Sequence, residues 1–227
     1  MQQASTFRQT PISCLLVGAA KIGKSHFVIK LTKAINDRLF KVKFHTHCMT
    51  STTKHLDGYI QQPIFVLDDH YKMCDGKQEI DASIVFNCVS CTTYYPSFAC
   101  IENKGLTFNS KFVIITSNYG YPVTCYLSSA LHRRHKHHVI LIKNSDVYDS
   151  DFNHLNIFYT KEIIDPWQGA YTFPYSQEHD VPFTMNEFNR SFPFRNRYRR
   201  INFDTLIQIL IDDYLHEKKI FEDVVNK

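Results

Sequence analysis

The sequence predicts an α/β protein. Its core has three layers, with helices covering both faces of a mostly parallel, five-stranded sheet, and a small C-terminal appendage follows that ends in a helix. Three observations predict this. Short apolar runs that read as buried strands alternate with stretches of helical spacing. The first such run passes through a Gly-bounded loop into a helical pattern. After Asn144 the composition shifts to aromatics, Pro and Asn with no sustained period, until a helical pattern closes the chain.

Residues 1–11 are polar and read as a disordered tail. ISCLLV (12–17) is a strand, and a helix is expected from about Lys24 to Arg38 with Phe27, Leu31, Ala34, Ile35 and Leu39 on one face. KVKFHT (41–46) alternates as a second strand. PIFVLDD (63–69) is a third, ending in two acids, and DASIVFNCVSC (81–91) has helical spacing. KFVIITSN (111–118) and HVILIK (138–143) complete the five strands. The closing helix, about 204–225, aligns Leu206, Ile207, Leu210, Ile211 and Tyr214, and Phe221, Val224 and Val225 extend that face. The chain divides into a tail (1–11), a core (12–144) and a C-terminal subdomain (145–227).

With 227 residues, 44% apolar and 21% charged, the chain belongs with globular proteins and can bury a sizeable core. The net charge of +4 permits contact with nucleic acid or acidic membranes and argues for neither. Basic residues concentrate locally in HRRHKHH (132–138) and RNRYRR (195–200). No apolar run approaches the ~18 residues that span a bilayer, so the chain is expected to be soluble, with any membrane anchor outside it. Seven cysteines, all between Cys14 and Cys125 and with no secretory signal before them, indicate a reduced setting. Cys88 and Cys91 form one CxxC with Cys100 nearby, but no second pair or His pair at ligand spacing accompanies them. They read as buried helix thiols, and no zinc is expected.

Gly18-Ala-Ala-Lys-Ile-Gly23-Lys24-Ser25 fits G-x-x-x-x-G-K-[ST] between a strand and a helix, the context this phosphate-binding motif needs. The glycines let backbone N–H groups converge on phosphate oxygens, and the helix N-terminus adds partial positive charge. The candidate nucleotide set is Gly18, Ala19, Ala20, Lys21, Ile22, Gly23, Lys24, Ser25 and His26. Lys24 would reach the terminal phosphates and Ser25 would ligate magnesium. Asp68 and Asp69, at a strand end, supply one carboxylate for the metal and one for an attacking water. Asn118, at the tip of another strand, can hydrogen-bond both γ-phosphate and water. These strand ends suggest that the fourth strand lies between the first and third, which puts Asn118 near Lys24 and Asp68. Arg133 and Arg134 have two readings, a solvated basic patch or arginines that reach the γ-phosphate on a neighbouring subunit.

Together these residues resemble the superfamily-three helicases of positive-strand RNA viruses, in particular the picornavirus-type replication ATPase and its kin in picorna-like viruses. The resemblance rests on GAAKIGKS, HLDGYIQQPIFVLDDH (55–70), IENKGLTFNSKFVIITSN (101–118) and SSALHRRHKHHV (128–139), and covers about residues 12–143. It implies an AAA+-like P-loop NTPase core that uses ATP and magnesium. In it Lys24 and Ser25 serve phosphate and metal, Asp68 serves the metal, Asp69 activates water, and Asn118 senses the γ-phosphate. Arg133 and Arg134 would complete the neighbour's site in a ring, implied to be a hexamer. Lys104 and Lys111 become candidate RNA contacts, with an exposed strand-entry turn as the plain alternative. The closing helix resembles one by which family members grip a neighbour, though its apolar face equally suits docking on its own core.

The function so implied is an ATP-hydrolysing viral replication helicase domain acting on RNA. Its partners would be further copies of itself, RNA and other viral replication proteins. It would work in the host cytoplasm on membrane-bound replication complexes, reaching membrane only through flanking segments. The alternatives are a membrane-associated ATPase scaffold that binds RNA without unwinding, a replication helicase of DNA viruses, and a small-molecule P-loop kinase.

Overall fold

The structure, a computed structural model, describes residues 6–50, 53–71, 78–118, 128–143, 155–161 and 198–225. In chain order the elements are β1 (Ile12–Gly18), α1 (Lys24–Leu39), β2 (Thr46–Thr50), β3 (Ile64–Asp68), α2 (Gln78–Cys88), β4 (Phe112–Ser117), α3 (Ser128–Arg134), β5 (His137–Lys143), β6 (Leu155–Thr160), β7 (Arg199–Ile201) and α4 (Phe203–Val225). A 3₁₀ turn, Ile101–Asn103, precedes β4.

One seven-stranded sheet runs in the order β2-β3-β4-β1-β5-β6-β7. The first five strands are parallel, and β4 lies between β3 and β1, as the strand ends suggested. The expected five-stranded sheet is corrected here. β6 runs back antiparallel along β5 from Lys143↔Leu155 to His138↔Thr160, and β7 adds antiparallel to β6. LNIFYT was hidden by the aromatic-rich composition around it, although all six of its residues are buried.

The second strand also moves, from 41–46 to Thr46–Thr50. Val42 and Phe44 do alternate, but both are exposed, so the pattern there reports no buried face. Asn36 closes the turn instead, its carboxamide exchanging two 3.1 Å hydrogen bonds with the backbone of Val42.

Period-two alternation divides the core between the two faces of the sheet. Ile12, Cys14, Leu16, Ile64, Val66, Phe112 and Ile114 pack beneath α1 and α4. Leu15, Val17, Phe65, Leu67, Val113 and Ile115 pack beneath α2, with Tyr59, Phe108 and Leu131. α4 starts on Asn202, whose Oδ1 accepts from Thr205 N–H at 2.7 Å, the usual N-cap bond. Its first half buries Leu206, Ile207, Leu210, Ile211 and Tyr214 on its own core. Its second half leaves Leu215, Ile220, Val224 and Val225 exposed. No described helix is long and apolar enough to cross a membrane.

The N-terminal segment, expected to be disordered to residue 11, is fixed at Arg8. That guanidinium donates to the carbonyls of Asn87 (2.8 Å), Cys88 (2.9 Å), Thr92 (3.0 Å) and Phe108 (3.1 Å) and lies over the Phe108 ring. It thereby caps the C-terminus of α2 with a cation.

Candidate functional site

The loop after β1 is shaped by close packing. A Cβ on Gly18 would stand 2.5 Å from Ile22 Cδ1 and 2.9 Å from the Leu141 carbonyl, so only glycine lets β1 end this close to β5. Lys21 (φ 63°) and Gly23 (φ 97°) turn the chain back, and the Gly23 carbonyl accepts the first bond of α1, from Phe27 N–H at 3.0 Å. Ala19 and Ile22 point into the core, while Ala20, Lys21, Ser25 and His26 are exposed. The candidate loop residues therefore divide into wall and mouth. The mouth lies at the positive end of α1.

Lys24 folds back across this mouth. Its ammonium donates to the Gly18 and Ala19 carbonyls, both at 2.8 Å, and to Asn118 Oδ1 at 2.5 Å. Burial pushes its pKa down to about 8, against the upward pull of the Asp69 and Asp68 carboxylates.

The acidic strand end is bolted to β4 by a residue that the sequence left without a role. Thr116 Oγ1 donates to Asp68 Oδ1 at 2.7 Å and accepts from Asp69 N–H at 2.8 Å. The Thr116 carbonyl takes His70 N–H at 2.7 Å, and Ser117 Oγ donates to the His70 carbonyl at 2.8 Å. These bonds hold Asp69 at φ 52°, left-handed backbone that costs a non-glycine residue about 1 kcal/mol. Asn118 Nδ2 reaches Asp69 Oδ1 at 3.4 Å. Lys24, Asn118 and Asp69 thus form one chain of side chains across the tips of β1, β4 and β3.

The paired arginines lie apart from this cluster. Arg133 is exposed. Arg134 lies 4.6 Å over the Phe86 ring of α2 and donates to the Ala130 carbonyl at 3.1 Å. Among the described residues no hydrogen bond joins either guanidinium to Lys24 or Asp69. Of the basic run around them, His135, His137 and His138 are buried. His137 sits between Tyr159 OH (3.0 Å) and Asp213 Oδ2 (3.1 Å), which ties β5 to α4.

The segments LDGYIQQ and KGLTFNS hold each other. Tyr59 OH accepts from the N–H groups of Asn109 (2.8 Å) and Ser110 (3.1 Å), and Ser110 Oγ donates to the Gln62 carbonyl at 2.6 Å. Tyr59 stacks on Phe108 at 5.4 Å, and Asp57 Oδ1 accepts from Ala99 N–H at 3.0 Å. These residues mount the loop that carries Lys104, which is exposed just before Gly105 (φ 93°). Lys111 differs from Lys104, being half-buried and bonded to Asn109 Oδ1 at 2.8 Å.

Of the RNRYRR cluster, Arg199 and Arg200 are exposed on β7, while Arg195 and Arg197 lie outside the described residues. Cys88 is buried as expected, but Cys91 and Cys100 are exposed, which corrects their reading as buried helix thiols. Among the described residues no three His, Cys, Asp or Glu side chains group as a metal site.

A strand–loop–helix of this sequence, with an acidic strand end and an amide beside it, is the layout of a phosphate-loop protein. A model of the RNA helicase family matches residues 14–119. The genome polyproteins of human rhinovirus 3 and human rhinovirus 14 are each 33% identical over 138 residues, and that of porcine enterovirus 9 is 34% identical over 137. Each match covers 59% of this chain and only 6% of the polyprotein. These findings bear out the recognition drawn from the motifs: the matched segment is similar to the superfamily-three helicases of picornaviruses.

Proposed function

We propose that this chain is an ATP-hydrolysing viral replication helicase domain that acts on RNA, working as a ring, hexameric by the resemblance, in which Arg133 and Arg134 serve the neighbour's site. The observation that carries the reading is the Lys24–Asn118–Asp69 chain, which gathers a phosphate cation, an amide and a carboxylate at the tips of three adjacent strands. The residues fit a magnesium-bound triphosphate. A Cβ-free cradle at Gly18 leads into a helix N-terminus, and the Ser25 hydroxyl and Asp68 carboxylate supply hard oxygen donors.

Magnesium, held by Ser25 and Asp68, would supply charge neutralisation between phosphate oxygens. Lys24 binds the terminal phosphates. Thr116 fixes the Asp68 carboxylate by donating to Oδ1, and the remaining oxygen would be the one offered to the metal. Asp69 takes the proton of the attacking water, and Asn118 orients that water with its carboxamide. Arg133, exposed at the end of α3, is the guanidinium freer to cross to a neighbour. An arginine so supplied is worth roughly 10³ to 10⁵ in rate. In this reading residues 12–144 form the catalytic core, and the exposed second half of α4 grips the adjacent copy. Lys104, on its mounted loop, contacts RNA.

The test is ATP hydrolysis by wild type, Lys24→Ala, Arg133→Ala and Arg134→Ala, with and without single-stranded RNA, alongside a duplex-unwinding assay. Lys24→Ala is expected to be inactive, and RNA is expected to stimulate the wild type. Hydrolysis that ignores RNA, in a protein that does not bind it, would remove the helicase assignment. RNA binding and hydrolysis without strand separation would favour the scaffold.

A further inference from the structure

The hydroxyl of Tyr71 and Nε2 of His135 meet at 3.0 Å in the buried layer under α2. The rings approach edge-on, with centroids 5.9 Å apart, and the two residues are 0% and 1% exposed. Tyr71 lies two residues beyond Asp69, and His135 directly follows Arg134. A buried tyrosine hydroxyl has to be satisfied, and here its partner belongs to the corner that carries the arginine pair.

Neither end of this bond has slack. Tyr71 is held at φ 63°, and its N–H donates to Asp81 Oδ2 at 2.9 Å. The residue before it is clamped on both backbone sides to Thr116 and Ser117 of β4. At the other end, Ser13 Oγ of β1 donates to the Arg134 carbonyl and accepts from Lys136 N–H at 2.9 Å. His135 N–H bonds the Leu131 carbonyl at 3.3 Å, inside the last turn of α3.

We propose that Tyr71 and His135 are positioning residues, and that their hydrogen bond sets how the α3–β5 corner presents Arg133 and Arg134 to the adjacent subunit. The inference rests on the ring reading above. It adds a physical link, within one subunit, between the turn that carries Asp68 and Asp69 and the arginines that serve the next site. A displacement of Asp69 is then transmitted to His135 along the two backbone residues to Tyr71 and across the buried Tyr71–His135 hydrogen bond.

Mixed assemblies test it. A donor subunit carrying Lys24→Ala has no working site but keeps its arginines. A receiver carrying Arg133→Ala and Arg134→Ala keeps its site but offers none. Mixing the two is expected to restore hydrolysis. Adding Tyr71→Phe to the donor should lower the kcat of the mixture roughly tenfold, the size expected for loss of one buried hydrogen bond, with KM within about twofold. Adding it to the receiver should leave the rate unchanged. His135→Gln in the donor, which keeps a hydrogen-bonding group near the Nε2 position, should retain most of the rate, and His135→Leu should not.

Equal loss from Tyr71→Phe in the receiver would mean that the bond serves its own site, and would overturn the proposal. So would no loss in the donor, failure of the donor to assemble by size-exclusion chromatography, or failure of mixing to restore any activity. A wild type that does not hydrolyse ATP would instead overturn the function on which the proposal rests.

Discussion

Lys24 and Asn118, 94 residues apart in the chain, meet at 2.5 Å between Nζ and Oδ1. Their approach follows from strand order. β4 pairs with β1 from Ile12↔Phe112 to Val17↔Ser117, so Asn118 leaves its strand beside the loop that leaves β1. Because β4 also pairs with β3, the same carboxamide turns its Nδ2 toward Asp69. One side chain therefore uses its acceptor on the Lys24 ammonium and its donor on the Asp69 carboxylate.

That division of labour predicts the effect of Asn118→Asp. The new carboxylate still accepts from Lys24 but cannot donate, and it faces Asp69 with like charge. With the roles proposed for Lys24 and Asn118, substrate binding should survive, while orientation of the water is lost. The expected result is a kcat lowered by about 10² or more with KM changed little, read by steady-state hydrolysis. A raised KM with unchanged kcat would show that Asn118 contributes only to binding.

Lys24 carries a pH signature. Burial lowers its pKa to about 8 in the folded protein, against about 10.4 in an unfolded chain. Between these values the unfolded state binds more protons, so stability of the ligand-free protein should rise with pH from about 8 to 10. Nucleotide affinity should fall over the same interval, because the ammonium proposed to bind phosphate is being lost. Thermal melts and a fluorescent-nucleotide titration, each from pH 7 to 10, check the two opposed slopes. Lys24→Met should flatten both.

The strand tips were legible in the sequence because each carries its chemistry at a fixed offset from an apolar run. GAAKIGKS, LDD and ITSN placed three strand ends, and their order suggested that β4 intervenes. What stayed hidden depends on contacts distant in sequence. β6 is a six-residue strand inside aromatic-rich sequence, and only its pairing with β5 marks it. Histidines in a basic run look like surface charge until Asp213 and Tyr159 arrive from α4 and β6. Thr116 reads as an ordinary strand residue, and its grip on Asp68 appears only when β3 lies alongside. The Tyr71–His135 bond spans 64 residues between two turns, where no periodicity applies.

Arg8 is a second residue that sequence position misjudged, and its removal should be costly. It satisfies four backbone carbonyls on the α2 C-terminus, its following turn and the segment leading to β4. Arg8→Met keeps the apolar stem but strands those acceptors under partial burial. A loss of about 3 kcal/mol is expected. For a chain of this size that corresponds to a fall in Tm of about 6 to 12 °C. Arg8→Lys should recover only part of it, since one ammonium cannot reproduce the guanidinium fork. Calorimetry or a circular-dichroism melt checks both variants, and a shift under 2 °C for Arg8→Met would show that the clamp is dispensable.

Asp213 gives the acid side of the stability profile. It accepts from His137 and from Lys161, and those donors hold its carboxyl well below the usual range against the opposing effect of burial. Burial lowers the His137 imidazole as well, with Asp213 opposing. The signs agree: each group binds protons less readily folded than unfolded, so stability falls on acidification. The decline should begin near pH 6.5 as His137 is forced to charge, and steepen below about 4 as Asp213 is titrated. In Asp213→Asn the second phase should disappear. The Tm deficit of that variant should be largest above about pH 5 and should narrow below about pH 4 without vanishing by pH 3, because the folded wild type keeps its depressed carboxylate ionised there. Melts from pH 3 to 8 decide the matter, and a deficit independent of pH would show that the Asp213 charge contributes nothing to docking of α4 on β5.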